Sequence, residues 1–350
     1  MRPSYHPRLV NGPFEDPGVF VSLFLYKRAF LFDLGDLHAL SPKDILKVTH
    51  AFVSHTHMDH FIGFDHLLRL FLGREKDLHL FGPRGFIHNI EGKLAGYTWN
   101  LVDQYHYRFT LHVSEVHADH ILTRRFHCPD QFRPDGPPEK KVFSGVLLSE
   151  PPLTVSTVVL DHKIDSLGFR LSERFHINIL KSALNRLNLP VGPWIRRLKE
   201  TLYEGAPRDS IIEIPCGENL SETRNFEIGT LADQVALITP GQSIGYISDA
   251  AGHQSNMEKM IQLVHGVDHL FIEAPFLDSD RHLAENTHHL TARQAGHIAR
   301  EAGVRRCTLF HFSPRYTEVP HLLEQEAAQA AGPTVIIDSP AASRQGGTCT

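Results

Sequence analysis

Six consecutive residues, His55-Thr56-His57-Met58-Asp59-His60, put three imidazoles and one carboxylate into a single stretch of chain. Neutral imidazole is the commonest side-chain metal ligand, and a carboxylate adds a hard oxygen donor. The stretch follows Val48–Ser54, which reads as a short strand. It precedes Phe64, Leu67, Leu68, Phe71 and Leu72, whose spacing is helical. Alternate residues leaving a strand face one side, so His55 and His57 can meet one ion. Asp59 and His60, at the turn into the helix, can then face a second ion beside it. Nitrogen and oxygen donors of this kind suit Zn2+ and exclude a soft thiolate site. Histidine occurs 25 times in 350 residues, an excess compatible with such a centre.

Six residues cannot complete two coordination shells, so further ligands must come from other elements. Asp161-His162 follows the strand-like Val155–Leu160, Asp249 follows Ile244–Ser248, and His311 follows Arg306–Phe310. Residues at strand C-termini converge on one edge of a sheet, which makes these three the natural partners of the histidine-rich turn. The elements that must position them read as follows. Gly18–Leu34 is a hairpin whose second strand ends at Asp33, Leu78–Phe81 and Arg108–Val116 are strands, and Cys128–Lys141 is a Pro/Gly-rich surface loop. Strands are expected at Val142–Leu148, Leu153–Leu160 and Gln234–Ile238, with a hairpin turn at Thr239-Pro240-Gly241 before the next strand. Strands and helices then alternate: helix Gln254–Val264, strand His269–Glu273, helix Thr291–Ala302, strand Arg306–Phe310. Thr291 and Gln294 form a capping box for the last helix, and Gly303 closes it.

At HTHMDH, DHKIDSLGFR, GYISDA and HFSPRY the sequence resembles the successive metal motifs of the metallo-β-lactamase fold, and within it the ribonuclease Z (tRNA 3′-processing endonuclease) branch. IEAPF followed by HHLTARQA is similar to that branch's HEAT-F and H-S-T-x-x-Q-A run, although the first histidine and the threonine of HEAT are absent. LNLPVGPWIRRLKETLYEG resembles its Gly-Pro-bearing, tRNA-gripping arm, whereas the opening RLVNGPFEDPG departs from the branch's FLGTG-type strand. The likeness runs from about residue 29 to 315. It implies an α/β four-layer αββα sandwich in one domain, 1–350, with an inserted arm at 171–233. It also implies two Zn2+: His55, His57 and His162 at the first, Asp59, His60 and His311 at the second, and Asp249 bridging them. Asp59 would serve as general base, and His289, oriented by Glu273, would stabilise the phosphorane or protonate the leaving oxygen. Arg196, Arg197, Lys199, Gly192 and Pro193 would contact RNA; Trp194, just after Gly192-Pro193, reads either as a core or interface aromatic or as a stacking platform for RNA. The resemblance implies a homodimer acting on tRNA precursors; the alternative is hydrolysis of a small phosphodiester, sulfate ester, lactone or thioester on the same fold.

Charge is consistent with a local nucleic-acid contact. The net charge is −5, but residues 163–208 hold nine Lys/Arg against four Asp/Glu, a basic segment on an acidic body. No apolar run approaches the length of a membrane span, no secretory signal is visible, and Cys128, Cys216, Cys307 and Cys349 lie far apart. These features fit a reducing, cytoplasmic setting without disulfides. Gly241-Gln242-Ser243-Ile244-Gly245 matches a nucleophile elbow, but Ser243 stands within a predicted strand rather than between a strand and a helix, so it is read as structural. His50 is read as packed within its strand, and His112, His117, His120 and His127 with Cys128 match no familiar structural zinc spacing.

Overall fold

A computed structural model describes residues 5–338 except 24–25 and 218–220. The chain divides into two compact units: a body formed by 5–147, 155–171 and 243 onward, and an inserted unit of 148–154 with 172–242.

The first sheet runs in chain order: β1 (Tyr5–Leu9), β2 (Val19–Leu23), β3 (Arg28–Phe32), β4 (Val48–Phe52), β5 (Lys76–Gly82), β6 (Phe109–Val116), β7 (His120–His127) and β8 (Glu139–Val142). Its central strands β3 to β6 are parallel. Side chains alternate across a strand, and here both faces are apolar. Ala29, Leu31, Ala51, Val53, Leu78, Leu80, Leu111 and Val113 pack against Phe64, Leu67, Leu68, Phe71, Phe86, Ile87, Ile90 and Leu94 of two helices, Phe64–Phe71 and Phe86–Ala95. The opposite face presents Phe30, Phe32, Phe52 and Phe81.

The chain continues with β9 (Val146–Glu150), β10 (Leu153–Asp161) and β11 (Asp165–Glu173). After four strands of the inserted unit come β16 (Ser243–Ile247), β17 (His269–Glu273), β18 (Arg306–Phe310) and β19 (Ile336–Asp338). The second sheet has the order β19-β18-β17-β16-β11-β10-β9, with β16 to β19 parallel. Its outer face packs on helices Gln254–Leu263, Ala292–Glu301 and Pro320–Ala331 through residues such as Ile247, Leu270, Ile272, Leu309, Met260, Ile298 and Leu323. An aromatic layer joins the sheets: Phe32 lies 5.7 Å from Phe169 and 5.8 Å from Tyr246, and Phe52 lies 5.8 Å from Phe169. Helix, sheet, sheet and helix are thus stacked in the αββα order expected.

The inserted unit pairs β12 (Phe175–Ile179) antiparallel with β15 (Ala236–Pro240), and β13 (Ile211–Cys216) antiparallel with β14 (Glu222–Glu227). Leu184, Trp194, Leu198, Ile212, Ile214, Leu231 and Val235 form its own apolar core, with helices Lys181–Arg186, Trp194–Glu204 and Ile228–Val235.

Several sequence expectations change. The stretch at Gln234–Ile238 splits, since a helix ends at Val235 and β15 starts at Ala236. Pro240-Gly241 is not a hairpin turn, because β15 and β16 belong to different sheets. Val142 ends β8 on the first sheet, and the 128–141 loop is anchored by buried Cys128 and Phe132. The basic segment is also divided. Lys163 and Arg170 belong to the body, whereas in the inserted unit seven Lys/Arg between Arg174 and Arg208 are followed by six Asp/Glu against one Arg between Asp209 and Asp233. Over the whole inserted unit eight Lys/Arg stand against ten Asp/Glu, so the unit is not basic in sum.

Candidate metal centre

The site lies where strands of both sheets end. After β4 the chain turns through His55 to the short helix Met58–Phe61, which carries Asp59 and His60. Its position is fixed by the loop after β3: Leu34 N–H donates to the His60 carbonyl at 2.9 Å, and Gly63 N–H donates to the Leu34 carbonyl at 2.8 Å. Gly35 is required here, since a Cβ would sit 2.5 Å from the Pro17 carbonyl oxygen and 2.8 Å from that of Asp59. His162 follows β10, Asp249 follows β16, and His311 follows β18. Asp33, Asp249 and His311 adopt positive φ values of 58°, 41° and 59°. Such conformations are uncommon away from glycine, and here they turn side chains from three strand ends into one centre.

Asp249 is the hub. Its Oδ2 lies 3.6 Å from His55 Nε2 and 3.5 Å from His162 Nε2, while its Oδ1 lies 3.3 Å from His60 Nε2 and 2.9 Å from His311 Nδ1. Asp59 Oδ2 completes the second group, 3.5 Å from His60 Nε2 and 3.4 Å from His311 Nε2. His57 completes the first, its ring 4.4 Å from that of His55 and 5.3 Å from that of His162. Four donors at zinc bond lengths on a tetrahedron stand about 3.4 Å apart, and within each group one donor atom per residue lies within 4.8 Å of the others. The buried atoms His55 Nε2, His60 Nε2 and His311 Nδ1 make no hydrogen bond, despite the carboxylate oxygens nearby. Buried nitrogens without a hydrogen-bond partner are costly unless something else occupies their lone pairs, and a cation does so. The two donor groups, His55/His57/His162/Asp249 and Asp59/His60/His311, therefore fit divalent metal ions.

Outer contacts aim these ligands. Asp33 Oδ2 accepts from His60 Nδ1 at 2.8 Å, from Ser54 Oγ at 2.8 Å and from Tyr246 OH at 2.7 Å, while Oδ1 accepts from Ser54 N–H at 2.5 Å. Holding Nδ1 of His60 this way leaves Nε2 for the metal. His162 Nδ1 donates to the His288 carbonyl at 2.8 Å, to the same effect. Glu273, fully buried at the end of β17, accepts from His289 Nδ1 at 2.7 Å and from the Ala250 and Leu290 N–H groups.

Charge follows this geometry. Burial, reinforced by His60, keeps His55 neutral with a pKa of about 2. Burial would also lower His60, but Asp249 and Asp33 raise it to about 10. Asp249 is driven well below the usual carboxylate range by His311 and His60 in spite of its burial, and His311 is raised well above its ordinary value by Asp249. Burial opposes ionisation of Asp59 and Glu273, yet His311 and His60 hold the first at about 2 and His289 holds the second at about 2. His289 is raised because Glu273 outweighs its desolvation. Beside these groups lies an open cavity of about 440 Å³, lined by His57, Asp59, His162, Asp249, His289 and His311 among others.

All seven residues proposed as ligands are thus brought together, with Glu273 and His289 beside them. The residues expected to contact RNA are in the inserted unit and differ among themselves. Arg196 and Arg197 are exposed, Arg196 pairing with Glu200 at 2.7 Å. Lys199 is half-buried, which lowers its pKa, and Gly192 and Pro193 precede the helix it stands on. Trp194 is 3% exposed with its Nε1 donating to the Pro190 carbonyl, so it is a core residue and not a stacking platform. Ser243 lies in β16 with its Oγ donating to Asp268, which removes it as a nucleophile. His50 is buried and stacked on His79, and His117 pairs with Glu115. Asp33, Ser54 and Tyr246 are the functional residues that sequence reasoning missed. The available signal was that β3 ends in an acid next to the strand feeding the histidine-rich turn.

The fold and centre define a metallo-β-lactamase-fold hydrolase. YhfI of Bacillus subtilis, a metallo-β-lactamase fold protein, superposes with a TM-score of 0.54 at 15% identity over 96% of this chain and 98% of its own. The short form of human tRNase Z gives a TM-score of 0.50 at 16% identity over 96% and 95%. No family model matches the chain. Ribonuclease Z of Deinococcus radiodurans is 31% identical over 306 residues, 87% of this chain and 88% of that protein. Ribonuclease Z of Bacteroides fragilis is 29% identical over 311 residues, 87% and 86%. The chain belongs to the ribonuclease Z family, and with it to the metal-dependent endoribonucleases.

Proposed function

We propose that this protein cleaves tRNA precursors at their 3′ end, as a homodimer in the cytoplasm, with two Zn2+ per chain. The observation that carries the reading is Asp249, one buried carboxylate whose two oxygens face two separate donor groups. Kinship with proteins named ribonuclease Z over most of the chain supports RNA as substrate. When bound, a pair of divalent cations supplies a water acidified towards neutrality and positive charge for the oxygens of the attacked phosphate.

The chain's own residues supply the rest. His55, His57 and His162 with Asp249 Oδ2 would hold one ion, and Asp59, His60 and His311 with Asp249 Oδ1 the other. Asp59, ionised and 43% exposed on the cavity side, accepts the proton of the attacking water. His289, kept protonated by Glu273, donates to the oxygen that leaves as phosphorus is attacked. Cleavage in this sense leaves a 3′-hydroxyl on the upstream RNA. In the inserted unit, the exposed guanidiniums of Arg196 and Arg197 are the groups suited to RNA phosphates, and Lys199 less so.

The test pairs metal analysis with cleavage of a 3′-extended tRNA precursor and of a chromogenic phosphodiester. Close to two zinc per chain and endonucleolytic cleavage of the precursor are expected. Turnover of the small diester alone would favour the small-molecule reading, and zinc without any turnover would overturn both.

A further inference from the structure

We propose that Lys163 contacts an RNA phosphate next to the scissile one and thereby favours polynucleotide over small phosphodiesters at the catalytic cavity. This rests on the endoribonuclease reading and adds to it a residue that selects the substrate.

Lys163 immediately follows the ligand His162 and lines the mouth of the cavity with Ile164, while Asn286, Thr287 and His288 line it from another segment. Its backbone has φ +62°, a left-handed conformation that is strained for a residue with a side chain. The surrounding bonds enforce it. Lys163 N–H donates to Asp161 Oδ1 at 2.8 Å, closing an Asx-type turn, and His162 N–H donates to the Ile164 carbonyl at 2.9 Å. Asp161 is itself held, its N–H donating to Asn256 Oδ1 at 3.0 Å and its Oδ2 lying 3.2 Å from His253 Nε2. Asn256 is fully buried and also donates to the Asp161 carbonyl, so the turn is tied to the helix Gln254–Leu263.

The consequence is electrostatic. Both oxygens of the acid nearest in sequence are engaged, one by the turn and one by His253, and Lys163 makes no ion pair among the described residues. Asp165, two residues on, instead lies 4.0 Å from Arg84. Lys163 is therefore an exposed cation without an ion pair among the described residues, and it lines the same cavity as His57 and His162, within reach of a phosphate next to one attacked at the metal centre. A small diester offers one phosphate, which the centre itself takes. An RNA strand offers the next phosphate along, and a point charge on a flexible stem suits it.

The variants are Lys163→Gly, which accepts the left-handed turn and removes the charge, and Lys163→Arg, which keeps it. With a 3′-extended tRNA precursor, Lys163→Gly is expected to raise KM about three- to tenfold, with kcat within about twofold. It should also flatten the salt dependence of log KM by roughly 0.7–0.9, the share of one phosphate. Selectivity for RNA over the chromogenic diester falls accordingly, and Lys163→Arg restores both. If the wild type cleaves the precursor but Lys163→Gly leaves KM and salt slope unchanged, the proposal is overturned while the endoribonuclease reading stands. A fall in kcat or zinc content with KM unchanged also overturns it, because Lys163 would then serve only to place His162. If the wild type cleaves the small diester and not RNA, the reading beneath it fails as well.

Discussion

In the proposed mechanism Asp249 is the residue shared by both ions, since each of its oxygens faces a different donor group. Replacing it with Asn keeps the shape but removes the charge that balances two cations. Asp249→Asn should lose most bound zinc and at least about a hundredfold in kcat, measured by metal analysis and RNA cleavage. Asp33 acts one step out: Asp33→Asn releases His60 from its fixed orientation, and zinc affinity should drop roughly 10- to 100-fold by competition with a chelator. The raised pKa values of His60 and His311 mean that a zinc ion bound there as proposed would displace protons at neutral pH. Affinity should therefore rise with pH across that range, with proton release visible when calorimetry is repeated in buffers of different ionisation enthalpy. For His289 the sign is also determined. Glu273 raises its pKa, so a protonated, donating His289 survives to higher pH than a free imidazole would. Glu273→Gln should move the alkaline limb of the kcat profile to lower pH, and an unmoved limb would remove His289 from the acid role. The grouping of the candidate ligands was legible in the sequence because their types and their places after strands carry the signal. Asp33 was not, because its partners Ser54 and Tyr246 lie 21 and 213 residues away and meet it only once the sheets pack.

At the scale of elements, strand ends do the positioning. The parallel strands β16, β17 and β18 deliver Asp249, Glu273 and His311 to one edge, and β3 and β4 deliver Asp33 and the histidine-rich turn. Short, mostly apolar runs bounded by turn residues made these strands readable from the sequence. Helix Ile228–Val235 was harder, because Val235-Ala236-Leu237-Ile238 has the β-branched, apolar look of a strand and the boundary falls inside it. Trp194 beside Gly192-Pro193 looked available for RNA, but burial is a tertiary property, and the inserted unit uses it as core. Ser243 provides the element-scale prediction. As a strand residue bonded to Asp268, Ser243→Ala should keep cleavage within about twofold and cost about 1 kcal/mol of stability, read by denaturant unfolding. Loss of turnover without loss of fold would return it to the catalytic machinery.

At the scale of the whole molecule, the distribution of charge matters more than its sum. The −5 chain still has a local run of positive residues, from Lys181 to Lys199 on two helices of the inserted unit, ahead of the acidic residues Glu213, Glu222 and Glu227 on its hairpin. Arg196→Glu with Arg197→Glu should weaken binding of the tRNA precursor and its salt dependence, while turnover of a chromogenic phosphodiester stays near wild type. Equal loss on both substrates would place these residues in the fold rather than in RNA binding. The account as a whole depends on two cations shared through one carboxylate. Anomalous diffraction at the zinc edge, from crystals of the zinc-loaded protein, measures this directly. Two peaks are predicted, one bounded by His55, His57, His162 and Asp249 Oδ2 and the other by Asp59, His60, His311 and Asp249 Oδ1. A single peak, or peaks away from Asp249, would contradict it.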